Sequence, residues 1–351
     1  MMLCTANGTR LLTASTAQSA QICIDTLNNQ QPPRSSPLYT VMAMANTLEF
    51  NPATCRQAWV IRGQSHSRRI ATWPTWFARN RGEKPLLYLH SATSSAQLCS
   101  LSRGTEQRGI LCNDIQTRPA RWTRGAHPSL PLWLASNPHC TPYDPASGEE
   151  TRAIVLAALH ALYIEGRPGF YYLALHDQHD GPGLAQQDRA DAIKGMYRIG
   201  REPPAPLHVR LLGAGYVFAE VVHAARLLEE DWNVSAQLWS CPSYTRLVRE
   251  ANAAERWNRL HPLAEKRSSH LRDCLAGNDS PVIAVTGYPQ SVVDPLAAHV
   301  RARFVALGAG SVRPAAPDRY WITALALKAL AEDGLIGPQQ VERALQQYRL
   351  R

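Results

Sequence analysis

Two hydrophobic periods alternate from about Asn137 to the end of the chain. Thr151–Glu165 carries an apolar stripe at helical spacing, and Gly166 and Pro168 end it. Phe170–Leu175 (FYYLAL) is a short, unbroken apolar run rich in aromatics, which predicts a buried strand. The same logic predicts strands at Leu207–Leu212, Val234–Ser240, Val282–Thr286 and Phe304–Leu307. It predicts helices at Asp188–Tyr197, Val217–Glu230, Glu250–Leu260, Pro262–Leu275, Val292–Arg301, Trp321–Asp333 and Gln339–Tyr348. Short strands alternating with helices imply parallel βαβ units, with helices covering both faces of the sheet. Residues 1–130 show neither period over a full window. Apolar snatches such as Leu38–Met44 and Leu86–Leu89 are separated by text rich in Ser, Thr, Gln, Arg and Pro.

Charge divides the chain at the same place. Lys and Arg number 37 against 28 Asp and Glu, a formal net charge of +9. Residues 1–130 hold 13 Arg and Lys84 against five acids (Asp25, Glu49, Glu83, Glu106, Asp114), so the first third carries all of the excess. The rest of the chain is neutral. A targeting arm fits the composition but not the length, and Arg10 is the sole base in the first 30 residues. A nucleic-acid arm would interleave Arg with aromatics, as Arg68 and Arg69 do near Trp73 and Trp76, but the bases are scattered. The reading preferred for residues 1–130 is a poorly ordered segment, or one translated out of its ancestral frame.

No apolar run approaches the roughly 18 residues of a membrane span, and the first residues lack the pattern of a secretory signal. None of the eight cysteines forms a CxxC pair and they are spread thinly, which argues against a disulfide scaffold or a zinc ribbon and for isolated thiols in a reducing, cytoplasmic setting. No Walker loop and no GxSxG elbow occurs.

Three strings could carry chemistry. Gly213-Ala214-Gly215 follows a strand and opens a helix, the context for phosphate contact at a helix N-terminus. Phe218 stands where a third glycine would be, so a tight strand–helix turn is the alternative preferred. His176-Asp177-Gln178-His179-Asp180 lies beyond a strand and offers two imidazoles and carboxylates to a metal, or is a polar loop. Glu255–Pro262 (ERWNRLHP), with His261, is a helix end whose polar groups could bond across an interface.

Those strings, with their neighbours, resemble a known family. Residues 138–351 are similar to the C-terminal part of the homodimeric type of pyruvate dehydrogenase E1 component. Pro138-His139-Cys140 with Tyr143-Asp144-Pro145, Phe170–Leu175, Ile193–Tyr197, Val209–Gly215, Leu228–Ser243 and Glu255–Pro262 carry the resemblance. It implies an α/β fold: a transketolase C-terminal-like parallel or mixed sheet with helices on both faces, behind an irregular N-terminal third. It divides the chain into 1–130 without a recognisable domain, 137–200 as a remnant of the middle, pyrimidine-type domain and linker, and 201–351 as the transketolase C-terminal-like domain. It also implies thiamine diphosphate and magnesium as cofactors, and a homodimer and a lipoyl-bearing E2 component as partners. The reaction implied is oxidative decarboxylation of pyruvate with acetyl transfer to lipoyl-E2.

The departures qualify that expectation. The family's GDG signature for the diphosphate and magnesium is absent from the sequence. Gly125–Ser129 differs too much from the family's Gly-His-Ser segment for a role to be carried over, and a C-terminal family segment is reduced to Ala309–Ala316. The expectation is therefore a truncated form that lacks the cofactor-binding domain and is inactive alone, with no catalytic, cofactor-binding or metal residue assigned. The alternative from another class is a non-catalytic binding or assembly protein with a basic N-terminal arm.

Overall fold

The computed structural model describes residues 14–29, 35–62, 84–91, 95, 108–115, 129–200, 205–310 and 316–350. Arg10, Arg68, Arg69, Trp73, Trp76, residues 125–128 and residues 311–315 lie outside them.

Two five-stranded sheets organise the chain. The first contains β1 (Trp59–Arg62), β2 (Leu86–His90), β3 (Gly109–Asp114), β4 (Cys140–Tyr143) and β5 (Phe170–Leu175), all parallel, in the order β1-β2-β3-β5-β4. Helices α1 (Ala14–Asn28), α2 (Pro37–Phe50) and α4 (Gly148–Tyr163) pack on one face of it. Helix α3 (Ser129–Ser136) packs on the other, through Leu130 and Leu134. With both faces covered, β2 and β5 are buried at every position, which accounts for their unbroken apolar text.

The second sheet contains β6 (Tyr197–Ile199), β7 (Leu207–Gly213), β8 (Val234–Ser240), β9 (Val282–Pro289) and β10 (Phe304–Ala309), in the order β10-β9-β7-β8-β6. Only β6 is antiparallel, where it pairs with β8 at the edge. Helices α6 (Phe218–Trp232), α9 (Arg319–Glu332) and α10 (Pro338–Gln347) cover one face. Helices α7 (Tyr244–Leu260) and α8 (His270–Cys274) cover the other. A short α5 (Arg189–Lys194) leads into β6. This is the expected α/β architecture, with helices on both faces of a parallel and a mixed sheet.

Four details differ from the sequence expectation. Residues 14–114 contribute two helices and three strands among the described residues, where the sequence offers only apolar snatches. Because β1–β3 share a sheet with β4 and β5, the boundary expected between residues 130 and 137 falls inside one sheet. Val292–Arg301 is not an α-helix: two 3₁₀ turns, Gln290–Val292 and Asp294–His299, occupy it, with Pro295 in the second. Of Pro262–Leu275, only His270–Cys274 is helical, because Pro262 follows the end of α7.

Candidate functional site at the seam between the sheets

The carboxyl ends of β7 and β8 meet the β4–α4 connection of the first sheet, the side on which ligand crevices of open α/β sheets form. Helix α4 begins with a capping box, Ser147-Gly148-Glu149-Glu150: the Ser147 hydroxyl accepts the Glu150 N–H at 3.3 Å. The Glu150 side chain, wholly buried, turns back to accept the Ala146 N–H at 2.6 Å. Its other oxygen crosses the seam, accepting the hydroxyls of Tyr197 at 2.8 Å and Ser240 at 2.5 Å. Burial raises the Glu150 carboxyl above its ordinary value, and the donors around it pull the other way.

Further bonds close the seam. The Asp144 N–H donates to the Pro242 carbonyl at 2.7 Å, and the Gly215 N–H donates to the Asp144 carbonyl at 2.9 Å. Ser243 Oγ donates to the Pro142 carbonyl at 2.5 Å. From α7, Arg249 reaches the carbonyls at the end of α3, with Ala135 at 2.9 Å and Asn137 at 2.8 Å. A cation there satisfies orphan carbonyls and complements the helix dipole.

The Gly213-Ala214-Gly215 turn belongs to this seam. Gly215 has φ +56°, and a Cβ on it would lie 2.2 Å from Asp144 Oδ1. The space a phosphate would need at this turn is thus filled by a carboxylate, which would also repel it. The tight-turn reading accounts for the geometry and the phosphate reading does not. The cleft beside it, lined by Tyr143, Tyr172, Tyr244 and Tyr288, is about 40 Å³, room for about three water molecules. The seam is therefore a joint between sheets, not a substrate pocket.

The imidazoles of the 176–180 string do not converge. His176 is buried; its Nδ1 accepts the Gln178 N–H at 3.3 Å, which leaves Nε2 to donate to the Pro145 carbonyl at 3.1 Å. His179 is exposed, and Asp177 accepts a hydrogen bond from Ser36 at 2.7 Å. Among the described residues no three His, Cys, Asp or Glu side chains group as metal ligands. The string is a polar loop that holds α2 and the β4–α4 connection.

The Glu255–Pro262 string finds partners nearby. Glu255 Oε1 bonds His299 Nδ1 at 2.9 Å, Asn258 exchanges two bonds with Arg267, and the exposed His261 ring lies on Trp257. One unexpected group lies at the end of β2. His90 is buried, and neither ring nitrogen has a partner among the described residues. Burial depresses it to about 3.

Residues 195–310 match the transketolase-like TK C-terminal domain family. The pyruvate dehydrogenase E1 component of Cupriavidus necator is 37% identical over 232 residues, which are 62% of this chain and 26% of that protein. That of Pseudomonas aeruginosa is 33% identical over 230 residues, again 62% and 26%. The chain is similar to the C-terminal part of pyruvate dehydrogenase E1. It spans about a quarter of the length of the curated E1 relatives it matches. Among solved structures, a split-gene transketolase described as an inactive β4 tetramer matches this E1-like chain with a TM-score of 0.53 at 14% identity, covering 85% of this chain and 99% of that one. Transketolase from Leishmania mexicana matches with a TM-score of 0.52 at 12% identity, covering 95% and 48%. Both likenesses are of fold. Among the described residues no helix is long and apolar enough to cross a membrane.

Proposed function

We propose that this chain is the part of a thiamine-diphosphate-dependent pyruvate dehydrogenase E1 that lies beyond the diphosphate-binding domain, and that alone it neither binds the cofactor nor turns over pyruvate. The observation that carries this reading is the extent of the similarity: 37% identity over 232 residues that make up only 26% of the relative. The described residues do not fit the cofactor. Magnesium takes hard oxygen ligands at a diphosphate, the GDG signature is absent from the sequence, no metal-capable cluster occurs among the described residues, and the seam cleft is too small. No reaction step is assigned to this chain's side chains. In a whole enzyme this part would serve pyruvate decarboxylation and acetyl transfer to a lipoyl-bearing E2, within a homodimer in the cytoplasm.

One observation favours a second reading, in which another chain supplies the missing domain. The fold matches 99% of one chain of a split transketolase, so a unit of this extent has a counterpart as a separate polypeptide. An assay of pyruvate-dependent reduction of an artificial electron acceptor, with thiamine diphosphate and magnesium present, tests both. The chain alone is expected to give none. Turnover by the chain alone overturns the first reading; turnover only with a co-purifying chain establishes the second.

A further inference from the structure

Helix α2 is apolar on two faces. Val41, Met44, Ala45 and Leu48 are buried where it packs on the first sheet. The outer face of such a helix is ordinarily polar, as on the neighbouring α1, where Gln18, Gln21 and Asp25 are exposed. On α2 the outer face instead carries Met42, Tyr39, which is 54% exposed, and Phe50, which is 72% exposed. Tyr39, Ala43, Asn46 and Phe50 follow the four-three-four spacing of a coiled-coil seam, so they line up along one side of the helix. Glu49 is the sole charged side chain of α2, and Arg62 of β1 pairs with it at 3.0 Å. Arg62 also donates to Asn46 Oδ1 at 2.8 Å, which leaves the Asn46 amide hydrogens to donate elsewhere.

We propose that α2 is a self-association surface, pairing antiparallel with α2 of a second copy of this chain about a two-fold axis. In that arrangement Tyr39 meets the partner's Phe50 at both ends, and Ala43 meets the partner's Asn46 between them. The stripe is therefore complementary to itself, as a two-fold contact requires, with an aromatic pair at each end. A two-fold contact also sets like charges against each other, and here Glu49 and Arg62 cancel within each copy. An anionic lipid surface or a nucleic acid would call for several bases along the stripe, and among the described residues Arg62 is the one base bonded to it. The stripe spans about three helical turns, a small interface that suits reversible, micromolar association. It gives the homodimer of the E1 reading a surface, but it stands on α2 itself, which lies outside the residues 195–310 that match the family.

Sedimentation velocity of the full chain, from low to high micromolar concentration and without cofactor, tests this independently of pyruvate turnover. A reversible shift from one chain to two is expected. Tyr39→Glu and Phe50→Glu should each weaken it by about tenfold or more. Leu335→Glu, at a similarly exposed leucine between α9 and α10, should leave it unchanged. All three side chains already meet solvent, so circular dichroism should show no loss of fold. Two double variants test the register. Tyr39→Lys with Phe50→Glu sets opposite charges across both ends, and should associate roughly fivefold more tightly than Tyr39→Glu with Phe50→Glu, which sets like charges there. Equal affinities of the two would overturn the antiparallel pairing. A single chain at every concentration would overturn the proposal and leave the stripe to a different protein. A dimer indifferent to Tyr39→Glu and Phe50→Glu, or weakened as much by Leu335→Glu, would overturn it while leaving the E1 reading its homodimer through another surface.

Discussion

His90 and Glu150 are both buried and titratable, and they differ in what surrounds them. His90 has no partner among the described residues and is held neutral, at about 3. The unfolded chain takes up a proton near pH 6.5, so the stability tied to the neutral ring is present above that value. It is lost as pH falls, by about 1.4 kcal/mol per pH unit until the folded value is reached. A His90→Leu variant removes the titration and an unpaired polar group. Urea unfolding at pH 7 and pH 5 should show the variant gaining about 2 kcal/mol on the wild type between the two; parallel losses would contradict this. Glu150 instead accepts three hydrogen bonds from Ala146, Tyr197 and Ser240. Its truncation in Glu150→Ala strands those donors and should cost about 3 kcal/mol or more in urea unfolding at pH 7. A loss under 1 kcal/mol would mean the bonds do not hold the seam. The sequence held one clue to Glu150, the Ser147-x-x-Glu150 spacing of a capping box. Its partners Tyr197 and Ser240 lie 47 and 90 residues away, and no local pattern could connect them.

The legible elements were those whose apolar runs are bounded by turn residues. Strands β5, β7, β8, β9 and β10 all appear where FYYLAL and its equivalents predict them. Strands β1–β3 are four to six residues long, and each stands alone in polar, Arg-rich text. β1 pairs with β2 and β2 with β3, and only β3 reaches β5, whose place beside it no periodicity within residues 1–130 reveals. The Gly213–Gly215 turn was legible as a turn, but the reason for its second glycine is a contact with the β4–α4 connection. Gly215 and Gly200 both have positive φ, +56° and +62°, yet only at Gly215 would a Cβ collide with Asp144. Both alanine variants bear the left-handed backbone cost of about 1–2 kcal/mol. Gly215→Ala should lose clearly more than Gly200→Ala in thermal unfolding, and equal losses would show that the seam yields. Arg249→Leu should likewise destabilise by about 2 kcal/mol in denaturant titration, since it frees carbonyls at the end of α3 that the guanidinium now satisfies.

Across the whole molecule, the two sheets are joined by bonds spanning α3, β4 and α4 on one side and β6, β7, β8 and α7 on the other. That joint, with its cleft of about 40 Å³, holds the two sheets of this chain together and is too small for a cofactor. The charge distribution agrees with the similarity: the +9 lies within residues 1–130, and the neutral remainder contains most of the E1-like text. On the reading proposed above, this chain by itself has no site for thiamine diphosphate. Isothermal titration of the full chain with thiamine diphosphate and magnesium tests it most directly. No binding in the micromolar range is expected; a saturable micromolar isotherm that requires magnesium would overturn that reading.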